Sequence, residues 1–141
     1  MQRTGCPSEG RFVDNGDGTV TDHCTGLMWQ KDTADVNLSG DVTDEDLVSW
    51  CDALRYCNIV EFAGHDDWRL PNVRELESIV DYGRLGPAID PVFSAFSRQY
   101  WSSTSLAGDP GFVWFVGFSG GSVQDTGKGN RSFVRAVRNA P

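Results

Sequence analysis

The sequence predicts an α+β domain, and three observations carry that prediction. Strand-like runs joined by tight turns open the chain, two stretches of helical periodicity follow, and alternating apolar runs close it. At 141 residues the chain has the length of one domain with one core, read here as spanning 1–141. Sixteen glycines, five tryptophans and eight phenylalanines suit short aromatic strands joined by turns, and not a helical bundle.

The first element is a hairpin. Arg11-Phe12-Val13 runs into Asp14-Asn15-Gly16-Asp17-Gly18, which holds both Asn-Gly and Asp-Gly, the pairs that tolerate positive φ in tight hairpin turns. Thr19-Val20-Thr21 is the return strand, and Leu27-Met28-Trp29 is a third. Residues 44–57 read as a helix, because Leu47, Trp50, Cys51, Leu54 and Cys57 recur at steps of three and four. Asp44, Glu45 and Asp46 fall in its first turn, where they complement the helix dipole.

A second helix follows Pro71. Asn72 is its N-cap and Glu75 the reciprocal partner three residues on. Val73, Leu76, Ile79 and Val80 form its apolar face, and Tyr82-Gly83 is the expected end. From Gln99 the pattern is strand: Tyr100–Thr104, Phe112–Phe118, Ser122–Thr126 and Phe133–Arg138, with Ser119-Gly120-Gly121 as a turn.

Twenty acidic against twelve basic residues give a net charge of −8, which argues against a nucleic-acid partner. No apolar run approaches the roughly 18–20 residues of a membrane span, so no membrane insertion is expected. The charge is uneven, with an acidic first half and a basic cluster of Lys128, Arg131, Arg135 and Arg138 near the end. Within a strand, Arg135 and Arg138 point to opposite faces. At most one can join a basic patch, and Arg138 is expected to be the structural one, paired with a carboxylate from the acidic half.

Cys6, Cys24, Cys51 and Cys57 all lie before residue 58, without a CxxC spacing. An even number in such a domain fits an oxidising compartment. Cys51 and Cys57 on one unbroken helix would stand about 9 Å apart, beyond the reach of a disulfide. Cys6–Cys24 is the preferred bridge and Cys24–Cys57 the next.

Four segments together resemble one bacterial family. Arg11–Asp22 with Thr25–Gln30, then Asp67-Trp68-Arg69-Leu70-Pro71-Asn72 with Glu75-Leu76, then Tyr100–Thr104, then Val134–Arg138 follow its order over about 11–138. The family is typified by the C-terminal domain of the Legionella collagen-like adhesin. The Arg-Leu-Pro segment and the closing Arg-x-Val-Arg also resemble the formylglycine-generating-enzyme branch of the C-type-lectin-like fold. The resemblance implies two helices packed on a twisted antiparallel sheet that displays long ligand-binding loops. It also implies an extracellular or bacterial cell-surface setting within a longer exported protein.

The sharpest local motif is Asp35–Asp46. Asp35, Asn37, Ser39, Thr43 and Asp46 fall at positions 1, 3, 5, 9 and 12 of a calcium loop, with Gly40 at the turning position and the Asp41 carbonyl at position 7. It is similar to the EF-hand-type loop of dockerin modules, with Ser at position 5 and the shorter Asp at 12. Calcium is the cofactor this spacing suggests, with Asp35, Asn37, Ser39, Asp41 and Asp46 as ligands; an acidic loop capping a helix is the structural alternative.

His23 and His65 stand in no triad or metal-ligand spacing, and no cysteine follows Cys57, so a non-enzymatic domain is expected. Arg69 and Glu75 read as a structural ion pair. The expected function is glycan binding through loops 105–111 and 119–131, with Asp109, Trp114, Lys128, Asn130 and Arg131 as contacts. Trp114 and Phe115 point to opposite faces of their strand, so one of them can meet a sugar ring. The alternatives are a displayed domain that binds a protein receptor, and a homo-oligomeric, trimeric cap on a stalk.

Overall fold

The computed structural model describes residues 10–140, so the expected Cys6–Cys24 bridge lies outside the described residues. The opening hairpin forms from β1 (Phe12–Asp14) and β2 (Thr19–Asp22), in antiparallel register with Val13 opposite Thr21. Its turn places Gly16 at φ +80° and Gly18 at φ +90°, a conformation that costs an L side chain dearly. Gly18 has a second duty, since a Cβ there would lie 2.9 Å from the Phe62 ring.

Strand β3 (Leu27–Gln30) pairs with β2, and its far edge takes the C-terminal strand β7 (Val137–Asn139). The resulting sheet has the order β1-β2-β3-β7. A second antiparallel sheet holds β4 (Gln99–Leu106), β5 (Asp109–Gly117) and β6 (Ser122–Gly127) in sequence order. The α+β prediction holds, with two antiparallel sheets in place of one. Residues 132–137 join them. Phe133 pairs with Tyr100 of β4, and Val137 pairs with Trp29 on one side and Arg69 on the other.

That connecting segment runs between two cores. Phe133 packs with Val20, Trp29, Leu76, Ile79, Tyr100, Val116 and Phe118. Its neighbour Val134 packs with Met28, Ala53, Cys57, Trp68, Trp101 and Val113. Strand β3 is divided in the same way, with Leu27 and Trp29 in the first core and Met28 in the second. Alternation of side chains across a strand buried on both faces accounts for the split in β3.

The helices differ from expectation at their ends. Residues 44–57 are not one helix: Asp44–Asp46 is a 3-10 turn, and α1 begins at Trp50 and runs to Ile59. Long-range pairing interrupts it, because Val48 exchanges both backbone hydrogen bonds with Ser132 and its carbonyl also accepts from Trp101 Nε1. Ser49 then caps α1 through the N–H of Asp52. Helix α2 (Val73–Ser78) carries the expected Asn72–Glu75 capping box but ends before Tyr82-Gly83. Val80 pairs with Ile89, which draws the chain out of the helix.

Likewise Phe133–Arg138 is not a continuous strand, and only Val137–Asn139 forms a ladder. Cys51 and Cys57 are free thiols, as their helical separation requires, and the free Cys57 excludes the Cys24–Cys57 bridge. Burial pushes the Cys57 thiol up to about 12.

Candidate functional site

One face of the three-stranded sheet ends in a polar cleft of about 490 Å³. Gln99, Gly117 and Ser122 stand side by side across β4, β5 and β6, and Gln124 lies opposite Phe115 one step along. These residues form the floor. Leu47, Ser97, Arg98, Ser119 and Arg131 complete the lining. The floor is open because Gly117 carries no side chain; a Cβ there would lie 3.1 Å from Ser122 Oγ. The described lining holds two arginines, five hydroxyl or amide side chains from β4, β6 and the flanking turns, and no carboxylate. Guanidinium groups with adjacent hydroxyl and amide donors can bind a carboxylate, sulfate or phosphate oxygen.

The five expected ligand contacts do not gather in one place. Arg131 is exposed and lines the cleft. Lys128 and Asn130 lie toward the other end of β5 and β6: Lys128 N–H donates to Gly111 O at 3.1 Å, and Asn130 N–H donates to Gly127 O at 3.1 Å. Asn130 Nδ2 also donates to Thr126 Oγ1. The Lys128 ammonium sits 4.5 Å from the centre of the Trp50 ring, so an intramolecular cation–π contact engages it. Asp109 is exposed at the start of β5. Trp114 is half-buried and, by alternation, faces away from Phe115 and the cleft.

Arg98 is the cleft residue that sequence reasoning missed. It precedes β4 in a Ser-rich stretch without a motif, and only folding brings it beside Arg131.

The two remaining arginines of the basic cluster are structural, which corrects the expectation of a free Arg135. Arg135 is 1% exposed. Its guanidinium donates to Gln30 O and Lys31 O, each at 2.6 Å, and to Ser94 O at 2.8 Å. The rings of Phe93 and Tyr100 flank it at 5.2 and 5.7 Å. Arg138 pairs with Asp67 at 2.6 Å, the expected carboxylate from the acidic half. That contact holds the Asp67 carboxyl below its ordinary range.

The Arg69–Glu75 pair forms as read, through two hydrogen bonds of 2.6 and 2.7 Å. Burial alone would raise Glu75, but Arg69 and the Asn72 N–H outweigh it and hold the carboxyl low.

In the 35–46 loop, four of the expected calcium oxygens collect around Ser39. Asp35 Oδ1 and Asn37 Oδ1 accept from Ser39 N–H at 3.1 and 3.2 Å, and Ser39 Oγ donates to Asp41 O at 2.9 Å. Asp46, fully buried, accepts from the N–H groups of Asn37 and Thr43 and closes the loop on itself. Among the described residues, no group of three or more His, Cys, Asp or Glu side chains is placed to hold a metal.

No described helix is long and apolar enough to cross a membrane. Compared with known families, the sequence model of the Lcl C-terminal domain matches residues 18–138. No curated protein matches the chain.

Proposed function

The chain belongs to the Lcl C-terminal domain family, an adhesin-related family, and from that premise we propose that it is a non-enzymatic glycan-binding domain displayed outside the cell as part of a longer protein. The ligand class proposed is a sulfated or otherwise acidic sugar. A single observation carries it: Arg98 and Arg131 flank one cleft whose floor is hydroxyl and amide and whose described lining lacks a carboxylate. The net charge of −8 does not bar an acidic ligand here, because a small ligand meets the local charge of a cleft and not that of the whole chain.

We further propose that the 35–46 loop takes a calcium ion as a structural cofactor. The twelve-residue spacing supports this, as do the hydrogen bonds that bring Asp35, Asn37 and Asp41 oxygens to Ser39. A hard cation there would replace the hydrogen bonds that now hold those oxygens.

An array of sulfated and neutral oligosaccharides, read at low and at high salt, tests the ligand class. Sulfated spots that fade with salt are expected, since screening weakens exposed charge contacts. Signals confined to neutral sugars and indifferent to salt would contradict it. A blank array with capture of a protein receptor would favour the receptor-binding alternative.

A further inference from the structure

We propose that Asp44 is an intramolecular competitor for the cleft, a built-in carboxylate that an acidic ligand must displace from Arg98. This rests on the acidic-sugar reading above and adds the residue that sets its threshold.

Arg98 Nη1 lies 3.4 Å from Asp44 Oδ1, and the pair is single-pronged. The side chains are 51% and 83% exposed, so water and salt reach both partners. Such a contact is weak and easily exchanged. Its placement, by contrast, is fixed. Asp44 opens the 3-10 turn, whose capping box joins Thr43 to the buried Asp46. Leu47, the next residue after that turn, is itself part of the cleft wall. The turn therefore holds Asp44 at the cleft margin while its carboxylate exchanges freely.

A ligand oxygen and the Asp44 carboxylate seek the same guanidinium. With Asp44 in place, Arg131 is the cleft cation that no carboxylate among the described residues pairs with. A sugar carrying one acidic group meets its need there and leaves Asp44 undisturbed. A ligand with closely spaced acidic groups engages both arginines and expels Asp44, so the pair selects for charge density. Glu45, the adjacent carboxylate, accepts from Asn37 Nδ2 at 3.2 Å.

The test titrates a heparin-derived hexasaccharide into the wild-type protein and into Asp44→Asn, Glu45→Gln, Arg98→Ala and Arg131→Ala, each first checked by thermal melting. Glu45→Gln makes the same charge change one residue along in the same exposed turn. Asp44→Asn is expected to bind about two- to fivefold tighter, the scale of an exposed ion pair. Glu45→Gln should stay near wild type, and the gain should vanish in the Asp44→Asn, Arg98→Ala double variant. If Asp44→Asn proves unstable, Asp44→Ser replaces it.

Equal gains from Glu45→Gln and Asp44→Asn would mean a diffuse field and overturn the inference. So would unchanged or weaker binding in Asp44→Asn, provided that Arg131→Ala still weakens binding. Full binding by both arginine variants would instead overturn the cleft reading itself.

Discussion

Arg135 and Ser94 lie 41 residues apart in the chain, and the guanidinium of the first donates to the carbonyl of the second at 2.8 Å. The same guanidinium satisfies the carbonyls of Gln30 and Lys31, at the end of β3. One buried side chain thus ties the segment between the cores to β3 and to the loop that leads into β4. Replacing it by Met would leave three carbonyls without that donor. The expected cost is on the order of 3 kcal/mol, from desolvated groups left unpaired. Arg135→Lys should recover only part of this, because an ammonium lacks the planar fork. Urea denaturation of the two variants measures both effects.

Asp22 is a buried carboxylate expected to contribute to the acid limb of stability. It is fully buried; burial alone would raise its pKa, but bonds from Arg11, the Cys24 N–H and the Thr25 hydroxyl outweigh it and lower the pKa from 3.8. A depressed folded pKa contributes stability that is fully present above the unfolded value and is lost as pH falls through the folded one. Stability should therefore hold near neutrality and fall below about pH 4, toward the ordinary aspartate range. Asp22→Asn should be less stable than wild type at neutral pH, with the gap narrowing toward pH 2. A gap that does not change with pH would contradict this role.

Local chemistry made much of this molecule legible. Asn15-Gly16 and Asp17-Gly18 specified the first turn, and Asn72 with Glu75 specified the start of α2, because each signal acts within a few residues. Features set by distant partners were not legible. Val48 leaves the helical pattern because Ser132, 84 positions later, takes its backbone hydrogen bonds. Arg135 reads as a surface cation in the sequence, and only folding sets it beside the Phe93 and Tyr100 rings and the carbonyls of Gln30, Lys31 and Ser94. Arg98 and Arg131 carry no mutual spacing signal, since only the sheet register brings them to one cleft.

Lys128 should matter to stability and little to binding. Its ammonium lies over the Trp50 ring at 4.5 Å, and its carbonyl accepts the Trp50 N–H at 3.2 Å. Lys128→Ala is expected to cost about 0.5–1 kcal/mol, the usual worth of a solvent-accessible cation–π contact. Affinity for a sulfated oligosaccharide should fall far less than in Arg131→Ala. Comparable losses in the two variants would place Lys128 in the ligand site.

Calcium should stabilise the fold through the 35–46 loop. A ligand that binds only the native state adds RT ln(1+[Ca]/Kd), about 2.7 kcal/mol at a hundredfold excess over Kd. Melting with calcium and with chelator should differ, and Asp35→Ala should abolish the difference. Identical melting curves at millimolar calcium and in chelator would leave the loop as a self-bonded acidic cap.

The most direct measurement of the cleft is an amide chemical-shift map of the labelled protein as a heparin-derived tetrasaccharide is added. The largest shifts are expected at Arg98, Gln99, Ser122, Gln124 and Arg131, the residues around the cleft floor and its two cations. Shifts centred on Phe112, Trp114 and Asp125, with the cleft residues unmoved, would contradict the assignment and move the ligand to the opposite face of the sheet.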